Sequence, residues 1–305
     1  MSAVARRVRL PLASLVVLAL AVGCGGEEEG AAAEIEGIPD PLVMGLIPAE
    51  DGDEVVQRYE PIAEFVGEEL GVEVELFTAT DYSGIIESMR SENVDIAWFG
   101  PLSYVLAAEV AGAEAVAVQV EEEGEEEPTY NSYIITQQDS DIEEIEDLEG
   151  GTFAFVDPAS TSGNLFPTKG FADAGMDPDE DLAETIFAGG HDAAGLAVQN
   201  GDVDGGAIAS TIYNTMVEEG ALDEDEIEII HESEPIPNSP ISVREDLPPE
   251  VKEEVQEAFL NVTADELGEL PEGIAGYTEG SNEDYDSIRD LIDTLDLDLE
   301  ELAEE

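Results

Sequence analysis

The sequence predicts an α/β protein of two lobes, each with a mixed, mostly parallel sheet flanked by helices. Short apolar runs alternate with segments of helical periodicity along most of the chain, which is typical of repeated β-α units. The units form two series, divided by the acidic segment 121–127 and followed by the proline-rich segment 235–240. The 282 residues that remain after residues 1–23 (305 − 23) are more than one small domain needs and suffice for two lobes.

Residues 1–23 have the pattern of a secretory signal. Arg6, Arg7 and Arg9 precede the apolar run Leu10–Val22, and small residues end the segment. The run is shorter than the roughly 20 residues that span a bilayer, so we do not expect a permanent transmembrane helix. The Arg6-Arg7 pair leaves the twin-arginine export route open beside the general one.

Cys24 is the single cysteine, and it lies where a lipoprotein signal is cut and acylated. Two acyl chains suffice for stable anchoring. We therefore expect an exported protein that is anchored by lipid on Cys24 at the extracytoplasmic face of the membrane, although Ala21 replaces the usual leucine of such signals. Residues 24–40 read as a flexible acidic leash between lipid and domain.

The net charge is extreme. Three of the 9 basic residues lie in residues 1–23, so the rest carries 6 − 76 = −70. Nucleic acid and anionic lipid need Lys/Arg neutralisation, so neither is an expected partner. The acids are spread over nearly every predicted loop and helix face, which favours a halophilic protein over metal storage. Self-repulsion destabilises such a fold unless salt screens it.

The first β-α series contains four strands and three helices. The predicted strands are Leu42–Ile47, Val72–Phe77, Val94–Phe99 and Ala115–Val120. The predicted helices are Tyr82–Arg90, Pro101–Val110 and one with the apolar stripe Val55, Tyr59, Ile62, Val66 and Leu70.

The second series has strands at Tyr133–Thr136, Thr152–Val156, Thr185–Phe187, Val203–Ala209 and Glu228–Ile230. A further strand, Ile241–Val243, follows the proline-rich segment, and two helices close the chain, with stripes Val251/Val255/Phe259/Val262 and Ile288/Leu291/Ile292/Leu295. We assign residues 41–127 to lobe 1, residues 128–236 to lobe 2, and residues 237–305 to a return to lobe 1 with the C-terminal helices.

The sequence offers little for catalysis. It has two histidines, no cysteine besides Cys24, and no nucleophile elbow, His-Glu-x-x-His or phosphate-loop motif. We expect a protein that is not an enzyme and that uses neither a cofactor nor a metal.

The segment Asp157–Gly163 is the most informative. It follows a predicted strand, opens a helical stretch, and carries three successive hydroxyls, on Ser160, Thr161 and Ser162. Hydroxyls, free backbone N–H groups and the positive end of a helix dipole together bind anions. One hydroxyl would suffice for an N-cap, so three at the carboxyl end of a strand favour a ligand site. Such neutral donors act at short range, so the bulk negative charge does not forbid an anion.

This segment resembles the ligand loop of the phosphate/phosphite/phosphonate family of periplasmic binding proteins, which serve ABC importers. Three further blocks are similar to the family in the same order: Asp81–Arg90 with Val94–Gly100, Gly190–Val198, and Ile236–Pro240. The similarity runs from about Pro41 to about Phe259. It implies a type II periplasmic-binding-protein fold, with two crossovers between lobes that close on the ligand.

The resemblance also implies roles for individual residues. Phosphorus oxygens are held by Ser160, Thr161, Ser162, Tyr82 and Tyr130, and His191 donates to one of them. Trp98 is interpreted as a structural residue that packs the cleft wall or the core.

Two neutral residues bear on specificity. Thr211 and Ser239 occupy positions where relatives that take aminoalkyl phosphonates have carboxylates, so a ligand without an ammonium is favoured. Asp192 and Asp204 remain open as alternative amine partners.

We therefore expect a lipoprotein receptor for phosphite, phosphate or a small phosphonate, monomeric, with an ABC permease and its ATPase as partners. The alternatives are a receptor for another small anion such as a sulfonate, a ligand-sensing module and, least favoured, a hydrolase.

Overall fold

The computed structural model describes residues 35–121, 124–125, 127–268, 270–271, 273–295, 297, 299 and 302. Cys24, the predicted signal and the first part of the predicted leash lie outside these ranges, as does part of the acidic segment 121–127. No helix within the described ranges is both long enough and apolar enough to cross a bilayer.

The described residues form strands at most of the predicted positions. The strands are β1 (Leu42–Leu46), β2 (Val74–Thr78), β3 (Ile96–Trp98), β4 (Ala113–Val120), β5 (Thr129–Tyr130), β6 (Ser132–Gln137), β7 (Thr152–Phe155), β8 (Glu184–Phe187), β9 (Gly205–Ala209), β10 (Ile227–Glu232), β11 (Ile236–Pro237), β12 (Pro240–Arg244) and β13 (Gly276–Glu279).

These strands build two mixed sheets. The six-stranded sheet has the order β13-β4-β12-β3-β1-β2 and forms the centre of lobe 1; the five-stranded sheet has the order β10-β6-β9-β7-β8 and forms the centre of lobe 2. Strand β1 pairs in parallel with β2 and β3, and β7 pairs in parallel with β8 and β9, while the other pairs of both sheets are antiparallel. The predicted two-lobed α/β fold with mixed sheets is confirmed, but neither sheet is mostly parallel, because two of five strand pairs in lobe 1 and two of four in lobe 2 are parallel.

Helices follow most of the strands. They are α1 (Gly52–Leu70), α2 (Tyr82–Arg90), α3 (Pro101–Ala111), α4 (Phe166–Asp173), α5 (Pro178–Asp181), α6 (His191–Gln199), α7 (Ser210–Glu218), α8 (Pro249–Leu260), α9 (Ala264–Leu267) and α10 (Asp286–Thr294). The predicted bounds of α2 match, because Asp81 caps its first turn and its helical periodicity ends at Arg90.

The apolar stripe of α1 shows how the sequence builds the core of lobe 1. All five predicted stripe residues are buried, and none is more than 3% exposed. Burial of such a side chain stabilises the fold by about 1.5–3 kcal/mol. The helix ends at Gly71, whose φ of 70° is readily adopted by glycine.

The sheet of lobe 2 is covered on both faces. Side chains alternate along each strand, so Ile134 and Phe153 belong to one apolar cluster while Ile135 and Ala154 belong to another. Helix α6 supplies residues to the second cluster, and α4 supplies Phe171 to the first. Both faces are therefore shielded from water, as expected for a sheet built from β-α units.

Two crossovers connect the sheets side by side. Strands β5 and β11 lie in them and pair with each other, with Ile236 opposite Tyr130 and Pro237 opposite Thr129. Neither strand was predicted from the sequence, because each has only two residues and proline at position 237 is unfavourable in a strand. Strand β13, the edge strand of lobe 1, was also missed.

Candidate anion-binding site

A cavity of about 70 Å³ lies between the two lobes, and every predicted ligand-binding residue lines it. These residues are Tyr82, Tyr130, Ser160, Thr161, Ser162, His191, Thr211 and Ser239. The cavity lies at the carboxyl ends of β1, β3, β7 and β9, which is where open α/β sheets bind ligands. Their roles in binding remain predictions.

Several helices begin at this cavity. Tyr82 and His191 are the first residues of α2 and α6, Thr211 is the second residue of α7, and Gly100 is the N-cap of α3. Each helix N-terminus carries partial positive charge from the macrodipole and unpaired N–H groups. The arrangement favours an anion although the protein as a whole is strongly negative.

The loop after β7 is held in a tight turn. Ser160 Oγ accepts a hydrogen bond from Gly163 N at 3.0 Å, and Thr161–Leu165 form a π-helical turn before α4 begins at Phe166. The helical stretch predicted from Gly163 onward therefore begins with a π-helical turn, which is wider than a turn of α-helix. A Cβ on Gly163 would lie 2.3 Å from Val156 Cβ, so glycine is required where the turn packs on the end of the strand.

Two hydroxyls of this loop accept hydrogen bonds from the backbone. Thr161 Oγ1 accepts a hydrogen bond from Leu102 N at 2.8 Å, as Ser160 Oγ does from Gly163 N. A hydroxyl has one proton to donate besides its lone pairs. Each hydroxyl therefore accepts one backbone N–H and has its O–H proton for a further partner, either a tyrosine hydroxyl of the site or a ligand oxygen. Both hydroxyls belong to residues only 2% exposed, which strengthens such a bond.

His191 is a neutral donor. Burial lowers the pKa of His191 to about 3, so the ring is uncharged at neutral pH. Its Nδ1 accepts a hydrogen bond from Ala209 N at 3.0 Å, which assigns the ring proton to Nε2. The imidazole can therefore donate one hydrogen bond from Nε2 without introducing a cation.

The two tyrosines also stay protonated. Burial raises the pKa of Tyr82 well above its usual value; Asp157 adds to this, and a hydrogen bond with Ser160 partly opposes it. Burial likewise raises the pKa of Tyr130 to about 12, although Ser162 and Thr161 lower it through hydrogen bonds. Both phenols thus stay protonated at neutral pH, and each forms a hydrogen-bonded pair or group with hydroxyls of the loop Ser160–Ser162.

Hydrogen bonds join the lobes across the cleft, so the structure is in a closed conformation. Leu102 N of lobe 1 donates to Thr161 Oγ1 of lobe 2 at 2.8 Å. His191 N of lobe 2 donates to Ala49 O at 2.8 Å, and Tyr82 N donates to Asp157 Oδ2 at 3.2 Å. The contacts connect closure directly to the predicted ligand-binding residues.

The cavity has further lining residues, of which only Trp98 was considered for the cleft wall from the sequence. Tyr59 and Trp98 form an aromatic wall, and Arg58 and Glu121 bring charge. Arg58 is the one basic side chain among the described lining residues, and its guanidinium pairs with Glu50, with Nη2 3.1 Å from Oε1. Tyr59 was recognised only as part of a core stripe, and no pattern links these scattered positions in the sequence.

The specificity positions lie beside one carboxylate. Thr211 and Ser239 are neutral, but Glu121 also lines the cavity, where its Oε1 accepts a hydrogen bond from Asn238 Nδ2 at 3.0 Å. Asp204 lies elsewhere, since its Oδ2 accepts from Thr152 N at 2.7 Å at the opposite end of β7. Asp192 is not among the described lining residues either.

The described part of the chain has no cluster of three or more His, Cys, Asp or Glu side chains arranged to hold a metal ion.

Comparisons with known proteins agree with this geometry. The family model for the periplasmic substrate-binding protein of phosphonate ABC transporters matches residues 44–285. A phosphate-import protein of Mycolicibacterium smegmatis is 33% identical over 93% of this chain and 95% of its own, and a phosphonates-binding periplasmic protein of Escherichia coli is 32% identical over 76% and 67%.

A solved structure shows the same fold. The binding-protein component of an ABC phosphonate transporter from Pseudomonas aeruginosa superposes with a TM-score of 0.76 at 28% identity, covering 83% of this chain and 86% of that one. The family model matches most of the chain, and the sequence relatives and the two-lobed fold agree with it. The protein therefore belongs to the family of periplasmic substrate-binding proteins of phosphonate ABC transporters, which are binding proteins rather than enzymes.

Proposed function

We propose that this protein is a lipid-anchored receptor that binds a small phosphorus oxyanion without an ammonium group and delivers it to an ABC permease. The ligand is phosphite, phosphate or a small phosphonate. The observation that carries the proposal is the convergence of neutral donors, from Ser160–Ser162, Tyr82, Tyr130 and His191, on one buried cavity bordered by helix N-termini. Such donors suit an oxyanion in a chain whose bulk charge repels anions.

The size of the cavity supports a small ligand. Its volume of about 70 Å³ is several times the roughly 10–15 Å³ that one water requires. That is room for an ion of a few heavy atoms. The Mycolicibacterium smegmatis relative is a phosphate-import protein and the Escherichia coli relative is a phosphonates-binding protein, so proteins related to this chain use both ligand types.

The absence of an ammonium is the sharper part of the proposal. Thr211 and Ser239 offer hydroxyls and no charge. Glu121, the carboxylate of the cavity lining, already accepts a hydrogen bond from Asn238. An aminoalkyl ligand would have to share that single carboxylate, so it is expected to bind more weakly than the same phosphonate without its amine.

A calorimetric panel tests the proposed ligand. The protein is titrated in about 2 M salt, which screens its charge, with phosphite, phosphate, methylphosphonate, aminoethylphosphonate and sulfate. One of the first three should bind most tightly. A preference for sulfate would overturn the ligand class; a preference for aminoethylphosphonate would overturn the role given to Thr211 and Ser239.

The lipid anchor is tested separately. In a host that processes lipoproteins, the wild-type protein should be found in the membrane fraction. The Cys24→Ala variant has no thiol to acylate, so it should not incorporate a labelled fatty acid that the wild-type protein incorporates. Equal incorporation of the label, or none in either protein, would contradict acylation of Cys24.

A further inference from the structure

Trp98 has a polar atom that the fold leaves without a partner. It is the single tryptophan of the chain and the last residue of β3, and it is 8% exposed. Its Nε1 is buried, and no described residue accepts a hydrogen bond from it. The ring lines the cavity and packs against Tyr59, with ring centroids 5.2 Å apart.

An unpartnered indole N–H in this place requires an explanation. The large majority of buried polar groups in proteins have a hydrogen-bond partner, and an indole can only donate. The hydroxyl of the neighbouring Tyr59 donates to Gln119 Oε1 at 2.9 Å, and neither its oxygen nor any other acceptor of the described residues forms a hydrogen bond with the indole N–H. An acceptor inside the cavity would satisfy Trp98 without any change in the surrounding core.

We infer that the indole N–H of Trp98 donates a hydrogen bond to an oxygen of the bound oxyanion. The inference rests on the proposed function and adds a donor from lobe 1 to the donors that the loop Ser160–Ser162 supplies from lobe 2. The ligand is then held by both lobes at once, so its binding favours the closed conformation. Because an indole can donate a hydrogen bond but cannot accept one, a ligand oxygen lies next to Trp98. The substituent on phosphorus then lies against another side of the cavity.

The single tryptophan makes a direct test possible. Because Trp98 is the single tryptophan of the sequence, the protein labelled with ¹⁵N-tryptophan has one indole cross-peak. Titration in about 2 M salt with phosphite, and separately with methylphosphonate, should move this indole proton downfield as the hydrogen bond forms. An indole resonance that keeps its position while calorimetry shows saturation would overturn the inference.

A variant gives the energetic test. Trp98→Phe keeps an aromatic ring against Tyr59 but removes the N–H. Its dissociation constant for the same ligands should rise at least about tenfold, which corresponds to about 1.4 kcal/mol. Tyr104→Phe is the matched control, because it removes a buried polar group of lobe 1 that bonds Asn282 at 3.0 Å, away from the cavity lining. Its affinity should stay within about twofold of wild type.

The outcomes separate the two claims. If the wild-type protein binds no phosphorus oxyanion, the proposed function fails and the role of Trp98 falls with it. If the wild-type protein binds one, but Trp98→Phe binds it equally well and the indole proton does not move, the inference alone is wrong. The thermal midpoints of the ligand-free variants are compared with that of the wild-type protein. A large drop in a variant's midpoint would identify a loss of affinity that comes from misfolding.

Discussion

Three side chains of the cleft each accept a hydrogen bond from a backbone N–H, which fixes the orientation of the predicted donors. Gly163 N, Leu102 N and Ala209 N donate to Ser160, Thr161 and His191 in turn. A buried donor with a fixed orientation binds an anion without the cost of reorganisation that a solvated group carries. Apart from Arg58, which is paired with Glu50, the described lining of the cavity contains no Lys or Arg side chain, so the predicted donors are neutral.

His191 provides a prediction at this scale. In His191→Asn, the side-chain oxygen can still accept from Ala209 N, but the Nε2–H is lost. Loss of a hydrogen bond to a charged ligand should raise the dissociation constant about tenfold to a hundredfold. Since burial lowers the pKa of His191 to about 3, the ring is neutral at pH values of about 5 and about 8 alike. Calorimetry should show the same fold loss at both; a loss confined to the lower pH would mean that the imidazolium binds the ligand.

The residues found from sequence and those missed differ in a physical respect. Ser160, Thr161 and Ser162 are adjacent, so their chemistry is visible as a local pattern. Tyr59 and Trp98 come together only through the pairing of distant segments, and each also fits a core pattern. A buried N–H without a partner becomes recognisable only when the packing around it is known.

At the scale of elements, the π-helical turn after β7 determines the geometry of the loop. The turn brings the backbone at Gly163 against the end of β7, where a Cβ would lie 2.3 Å from Val156 Cβ. Turns of this type occur frequently at functional sites. The loop therefore depends on a single residue that carries no functional group.

Gly163→Ala should displace this loop. The backbone has to move to accommodate the methyl group, which shifts Ser160 and its neighbours and should lower ligand affinity by at least about tenfold. Calorimetry measures the effect. Gly52→Ala is the matched control, since a Cβ there meets Thr78 Cγ2 at an ordinary 3.4 Å; its affinity should equal that of wild type. Unchanged affinity in Gly163→Ala would show that the loop tolerates the added methyl group.

Elements with clear periodicity and caps were predicted well from sequence. Helix α2 has the predicted bounds, and α1 buries the whole predicted stripe. The short strands β5 and β11 were missed, because their pairing depends on two crossovers that meet in space. Strand β13 pairs with the free edge of β4, and three of its four residues (Gly276, Thr278 and Glu279) are glycine or polar, so its apolar pattern is weak.

At the scale of the whole molecule, charge is the dominant feature. Each of the six basic residues beyond residue 23 forms an ion pair: Arg58, Arg90, Lys169, Arg244, Lys252 and Arg289. With 76 acidic residues, most carboxylates have no cation to offset them. Carboxylates of both lobes also interact across the mouth of the cleft. Burial raises the pKa of Asp192 of lobe 2, and Glu50 of lobe 1 adds to the rise.

This charge predicts a salt-dependent fold. Raising the salt concentration from dilute buffer to about 1 M shortens the Debye length to about 3 Å and screens the repulsion. The thermal midpoint of the free protein should rise by at least about 5 °C, on the order of 2 kcal/mol. Sodium chloride and tetramethylammonium chloride should act alike at equal ionic strength, because screening needs no specific cation. Equal midpoints in dilute buffer and in high salt would contradict the prediction.

The central claim is that neutral hydroxyls of the loop after β7 hold the ligand in the closed cleft. The most direct measurement is calorimetry of the double variant Ser160→Ala, Ser162→Ala in about 2 M salt, with whichever of phosphite, phosphate and methylphosphonate the wild type binds most tightly. Loss of two hydrogen bonds to a charged ligand should weaken binding at least about a hundredfold. Loss of the Ser160 cap should lower the thermal midpoint of the free protein by only a few degrees. A folded double variant that binds the ligand as tightly as wild type would contradict the claim.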